Sequence, residues 1–219
     1  MKALTCLLLL LCTALPSQLH SQNPANPQLD LHRSFSEINL GDKYQKWKNF
    51  LFDREEHDVH LFSYTFKSDD CCNSAFGHAT SLVKVTFQDD TVVSIAIELK
   101  NFFEGKRLVT MADAKNAIES SRTKHAMINK RFSTLFGQPY ATQSIHSNVP
   151  GEPASIFQWF GLNTFLETRY YYYPAVYPPS RTVGTAIGLT EKLEEMREKT
   201  IITLSDANFL RKRKFNTQF

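Results

Sequence analysis

A short run of acidic and thiol side chains could bind a metal or form a disulfide. Asp69, Asp70, Cys71 and Cys72 are consecutive, and His78 follows six residues after the second cysteine. Thiolate, imidazole and carboxylate groups are all zinc ligands. Adjacent cysteine side chains diverge, however, so they hold one ion less readily than a spaced pair. We therefore predict no metal site. Cys71 and Cys72 are candidates for a vicinal disulfide, and one buried and one exposed thiol is the alternative.

The histidines could supply a catalytic base. His125 lies on the apolar stripe of a predicted helix, where we expect a core residue, and His57 and His60 are expected at the surface. A base needs an activated nucleophile beside it, and the sequence places none there. The sequence therefore predicts no catalytic residue and no cofactor. An enzyme whose site forms only in the fold, with His78, His125 and acidic residues as candidates, is an alternative.

A tyrosine-rich strand carries the strongest binding signal. Residues 170–173 are all tyrosine, and successive side chains on a strand point to opposite faces. One face would carry a charged pair, which argues for water contact because unpaired buried charges are costly. An apolar patch rimmed by charge is typical of binding sites, whereas aromatic packing against the following proline-rich loop is the alternative. The predicted binding residues are Glu167, Arg169, Tyr171, Tyr173 and Tyr177.

The first 21 residues predict export. Lys2 precedes an apolar run of about 12 residues, and a polar stretch ends at Ser21. A basic start, a short apolar segment and a polar exit are typical of a secretory signal peptide. The apolar run is too short for a membrane span, which needs ~20 residues. We expect a secreted or periplasmic protein without a membrane span.

The composition limits the classes of partner. Signal removal takes one of the 25 basic side chains and none of the 22 acidic ones, so the remaining charge is nearly balanced. This balance argues against nucleic acid as a partner and leaves a protein or a saccharide. The basic run at residues 211–214 could make a peripheral contact with an acidic surface or anionic lipid. A solvated chain end is the alternative.

Periodicity predicts the elements that would position these residues. Alternating apolar residues predict strands at 80–88 and 92–100 joined by a tight turn, after a helix at 42–52 and a strand at 59–66. A stripe from Ala114 to Leu135 at helical spacing predicts a helix of about 26 residues ending at Gly137. Further strands are predicted at 155–160, 164–173, 182–189 and 200–204.

The order of these elements predicts an α+β fold with a mostly antiparallel sheet packed by helices. A helix followed by three strands occurs twice, which suggests a tandem duplication, and a single irregular domain is the alternative. The predicted segments are a signal peptide (1–21), a flexible mature N-terminus (22–33), a first α+β unit (34–105), a second α+β unit (106–204) and a basic C-terminal tail (205–219).

These observations favour an exported, non-enzymatic binding or envelope-associated protein. A proteinaceous inhibitor of an extracytoplasmic enzyme would also fit, because it would present exposed tyrosines on a sheet. The enzyme alternative requires residues that are distant in sequence to meet in the fold.

Overall fold

The computed structural model describes residues 25–66, 72–100, 111–144, 153–173 and 197–216. The strands are β1 Ser34–Phe35, β2 Ile38–Asn39, β3 Leu51–Asp58, β4 Leu61–Phe66, β5 Ser74–Ala75, β6 His78–Gln88, β7 Thr91–Leu99, β8 Ala141–Ser144, β9 Pro153–Phe160, β10 Thr164–Tyr173 and β11 Arg197–Asp206. The α-helices are α1 Tyr44–Trp47, α2 Met111–Phe136 and α3 Ala207–Asn216, and single 3-10 turns occur at Leu29–Leu31 and Lys48–Phe50.

One large antiparallel sheet dominates the described residues. Its strand order is β3-β4-β6-β7-β11-β10-β9-β8, and β5 pairs with β6 outside this path. The predicted α+β class with a mostly antiparallel sheet is therefore confirmed. Asp89 and Asp90 both have positive φ, which matches the right-handed strand twist in a two-residue hairpin turn.

The sheet consists of two meanders that meet at their last strands. The first runs through β3, β4, β6 and β7, and the second runs through β8, β9, β10 and β11. Antiparallel pairing of β7 with β11, with Ile97 opposite Ile202, joins them. A tandem duplication stays a prediction, and the strand predicted at 182–189 lies outside the described residues.

Three segments differ from the sequence-based expectation. The helix predicted at 42–52 contains α1 and a 3-10 turn, and the chain is already extended from Leu51. Residues 53–58, which lie between the predicted helix and the predicted strand at 59–66, continue β3 at the edge of the sheet and are exposed. An edge strand needs no apolar alternation, because backbone pairing on one side holds it. Within the predicted basic tail, residues 207–216 form helix α3.

Helix α2 covers one face of the sheet. Ile128 and Phe132 are buried there, as the stripe predicted. The prediction that Leu135 belongs to this stripe is wrong, because its side chain is 49% exposed. The neighbouring Phe136 is buried instead. The helix ends at Phe136, and Gly137 follows with a φ of +73°, the left-handed conformation expected of a glycine just after a helix.

Residues 25–33 are anchored to the fold, although their composition predicted a flexible segment. Leu29 is fully buried. The backbone N–H of Asn26 donates to the carbonyl of Phe160 over 2.8 Å. The Asp30 carboxylate accepts from the backbone N–H groups of Leu162 and Asn163, each over 2.8 Å. One buried side chain and these hydrogen bonds offset the polar composition of the segment.

Candidate binding surface

The sheet face opposite helix α2 is called the polar face here. Its side chains alternate along each strand with those that face the core. Its half-buried residues include Lys84, Thr86, Ser94, Ala96, Glu98, Ile156, Gln158, Arg169, Tyr171, Lys199, Ile201 and Thr203. This face combines charged, hydroxyl and aliphatic side chains over several strands, and it contains part of the predicted binding set.

Glu167 and Arg169 form an ion pair at the centre of the second meander. Arg169 Nε lies 2.5 Å from Glu167 Oε1, with side chains that are 43% and 5% exposed, respectively. Gln158 Nε2 donates to Glu167 Oε2 over 2.6 Å. The expectation that Glu167 meets water is therefore wrong. Its carboxylate tolerates burial because both oxygens have partners.

The guanidinium of Arg169 stays charged in this setting. Burial opposes its charge, but hydrogen bonds with Tyr171 and Glu167 outweigh that penalty, and the pKa of Arg169 is raised above its usual value. The structure thus holds a cationic, half-exposed side chain against a half-buried tyrosine. Arg and Tyr are the residue types enriched at the energetic centres of interfaces.

The structure brings together three of the five predicted binding residues. Glu167, Arg169 and Tyr171 alternate along β10 and share the polar face. Tyr173 is the last residue of β10 and pairs in register with Arg197, but its side chain lies outside the described set. Tyr177 lies outside the described residues.

Further polar contacts on this face join strands that are distant in sequence. Lys84 pairs with Glu55, and Lys199 pairs with Glu98. Ser94 and Ser205 share a hydrogen bond of 2.8 Å. These pairs cannot be predicted from the sequence, because local patterns do not specify which strands are neighbours. The outward positions of Lys84 and Glu98 in their alternating strands were the available signal.

Glu55, His57 and Ser63 have the order of a catalytic triad. His57 Nδ1 lies 3.8 Å from Glu55 Oε1, and His57 Nε2 lies 2.7 Å from Ser63 Oγ. An acid, an imidazole and a hydroxyl in this order can generate a nucleophile. Ser63 is only 2% exposed, however, and its hydroxyl also bonds Thr86 Oγ1 over 2.9 Å. The potential nucleophile is therefore covered in this conformation.

His125 belongs to a buried polar network under α2. Its Nε2 accepts a hydrogen bond from Asn129 Nδ2 over 2.9 Å and lies 3.2 Å from Ser155 Oγ. The ring stacks on Tyr170, and Asn129 Oδ1 accepts from Thr168 Oγ1 over 2.6 Å. Burial lowers the pKa of His125 to about 4, so the ring is neutral at pH 7. This network connects the helix to β9 and β10.

His78 lies apart from that network. It lines a cavity of about 580 Å³ together with Lys100, Glu119 and Lys124. Burial and the charge of Lys124 lower the pKa of His78 below its usual value. Among the described residues, His78 and His125 share no hydrogen-bond partner, so the structure does not join these two candidate bases in one site.

Cys72 is fully buried and is bonded in a disulfide. This finding excludes a free thiol at Cys72. Cys71 lies outside the described residues, so a vicinal Cys71–Cys72 bond stays a prediction.

Within the described ranges, no group of three or more His, Cys, Asp or Glu residues could hold a metal ion. In the same part of the chain, no helix is long and apolar enough to cross a membrane.

Comparison with protein-family models, with curated proteins and with solved structures finds no match to this chain.

Proposed function

We propose that this protein is an exported, non-enzymatic binding protein whose polar face contacts a protein or saccharide partner. The observation that carries the proposal is the buried Glu167 that holds the half-exposed Arg169 beside Tyr171. The signal-like residues 1–21 support a secreted or periplasmic location.

The Glu167–Arg169 pair is better explained by recognition than by stability. A buried ion pair often stabilises a fold no more than well-packed apolar residues would. The same pair fixes the guanidinium in one orientation, which reduces the entropy lost when a partner binds. Gln158 completes this arrangement by bonding the second oxygen of Glu167.

The surroundings of Arg169 suit a contact with another molecule. Ile156 on β9 and Ile201 on β11 lie opposite Arg169 in register, so aliphatic side chains flank the charged group. All three residues are half-buried. A partner that covers them would remove water from around the ion pair and strengthen its electrostatic contacts.

An inhibitor of an extracytoplasmic enzyme is a narrower form of the same proposal. The sheet would present Arg169 and Tyr171 to the rim of the enzyme's active site. Loss of inhibition in a Tyr171→Ala variant, with retained folding, would distinguish this form from a general binding role.

We expect Tyr171→Ala to weaken binding at least tenfold while changing the free energy of unfolding by less than about 1 kcal/mol. Truncation of a central aromatic anchor commonly costs 2 kcal/mol or more of binding energy, of the order of 30-fold. Binding to a partner captured from the extracytoplasmic fraction would be titrated beside urea melts. Met127→Ala is the matched control, because Met127 is a large side chain, 61% exposed, on helix α2. Equal binding by the two variants would contradict the proposal.

The arrangement of Glu55, His57 and Ser63 supports one other candidate, a serine-dependent acyl hydrolase. A fluorophosphonate probe, which reacts with activated serines, would test it. Labelling that is abolished in Ser63→Ala and weakened in His57→Gln would establish the enzyme. We expect no labelling of the wild-type protein, because Ser63 is covered.

A further inference from the structure

Helix α3 holds a run of basic residues in a fixed position. Asp206 Oδ1 accepts from the backbone N–H groups of Asn208 and Phe209 over 2.9 and 3.1 Å, which caps the first turn. The backbone N–H of Ala207 donates to the carbonyl of Asn163 over 2.9 Å. The helix therefore starts from a defined point on the fold.

Phe209 fixes the other side of the helix. It is buried with Leu61 and Val93 at one end of the polar face, and Leu210 packs against the same cluster. Arg211 adds hydrogen bonds to Asn208 Oδ1 and to the carbonyl of Leu162, over 3.0 and 2.9 Å. The basic run is thus presented by an anchored helix, in contrast to a solvated chain end.

The charge of α3 exceeds what helix stability requires. Its sequence, ANFLRKRKFN, contains four basic residues and no acidic one. A cation near a helix C-terminus is favourable, but neighbouring like charges repel one another. The carboxylate that caps this helix, Asp206, is already paired with Arg33 over 2.8 Å. Arg211, Lys212 and Arg213 are exposed.

We propose that α3 is a docking site for an acidic polysaccharide, such as a sulfated or uronic acid polymer. A linear polyanion matches a short run of cations and releases its counterions on binding. A lipid surface is a poorer match, because the apolar side chains described in this helix are not available for insertion: Ala207 and Phe209 are buried, and Leu210 packs against the fold. The inference names a ligand class and so rests on the proposed binding function, but it uses a different surface.

The test is retention of the folded protein on immobilised heparin, a sulfated polysaccharide, with elution by salt. The wild type is expected to bind at low salt, and Lys212→Glu/Arg213→Glu is expected to elute near the void. For milder Lys212→Ala/Arg213→Ala, the slope of log affinity against log salt should fall by roughly two. Lys130→Glu/Arg131→Glu, which makes the same charge change on exposed residues of α2, is the matched control.

Each outcome decides the proposal. Failure of the wild type to bind, or equal losses in the α3 and α2 variants, would overturn it. Stronger binding to vesicles of anionic lipid or to DNA than to heparin would also overturn it, in favour of those partners. Thermal melts verify that the variants fold. The Tyr171→Ala variant should be retained on heparin as strongly as the wild type, because Tyr171 lies on the polar face. Loss of heparin binding would therefore count against the α3 proposal alone, and the binding role of the polar face is tested separately.

Discussion

Lowering the pH from 7 to 4 is expected to destabilise the protein by roughly 2–3 kcal/mol through His125 alone. His125 is 4% exposed, and burial lowers its pKa from 6.5 to about 4. Among the described residues, its hydrogen-bond partners are Asn129 and Ser155 and its ring partners are Phe157 and Tyr170, and none of these offers a carboxylate. Protonation would place an uncompensated charge in the core.

The sign of this effect follows from the direction of the pKa shift. Between pH 6.5 and about 4 the unfolded chain binds a proton at this position and the folded chain does not. The contribution of His125 to the free energy of unfolding is therefore fully present above pH 6.5 and is lost as the pH falls towards 4. Carboxylates add their own pH dependence, so the comparison must be made between variants.

Urea melts at pH 7 and pH 4.5 of the wild type and of His125→Phe would measure the effect. The phenylalanine keeps a ring against Tyr170 but cannot be protonated, so its stability should depend less on pH. His60→Asn is the control, because His60 is exposed and its φ of +62° is one that asparagine tolerates. If the free energy of unfolding depended equally on pH in all three proteins, the expected contribution of His125 to that dependence would be contradicted.

Phe132→Ala is expected to cost about 3–5 kcal/mol of unfolding free energy, because it removes a buried ring and leaves a cavity. Its ring centroid lies 4.9 Å from that of Phe76 and 5.6 Å from that of Trp159, both in edge-to-face geometry. These contacts join α2 to the β5–β6 turn and to β9. The ring thus connects three parts of the core.

Leu135→Ala is the matched control for this measurement, because Leu135 is three residues away on the same helix but exposed. The Leu135→Ala substitution should change the free energy of unfolding by no more than about 0.5 kcal/mol, as most surface substitutions do. A cost below about 1 kcal/mol for Phe132→Ala, or similar costs for the two variants, would show that α2 does not pack on the sheet through this stripe.

Local periodicity in the sequence is sufficient to predict those elements that bury one face and expose the other. The β6–β7 hairpin and helix α2 have regular apolar spacing, and the structure confirms both. β3 was missed because an exposed edge strand has no such spacing. The pairing of β7 with β11 was also beyond prediction, since about a hundred residues separate Ile97 from Ile202 and neither strand specifies its neighbour.

Only part of the candidate site can be predicted from the sequence, because local patterns place residues along one strand but do not specify contacts between strands. Alternation along one strand placed Glu167, Arg169 and Tyr171 on one face, which needs no knowledge of neighbouring strands. The burial of Glu167 depends on Gln158 from β9, and the network of His125 depends on Ser155 and Tyr170. Such contacts arise only after strands and helix are assembled.

Site-specific photo-crosslinking tests the binding role of the polar face most directly. A benzoylphenylalanine placed at position 171, on the polar face, would be compared with one at position 127, on the exposed side of α2. Both proteins would be irradiated in the extracytoplasmic fraction after their stability had been verified. We expect a discrete adduct from position 171 and none from position 127. Adducts of equal yield from both positions, or an adduct from position 127 alone, would contradict it.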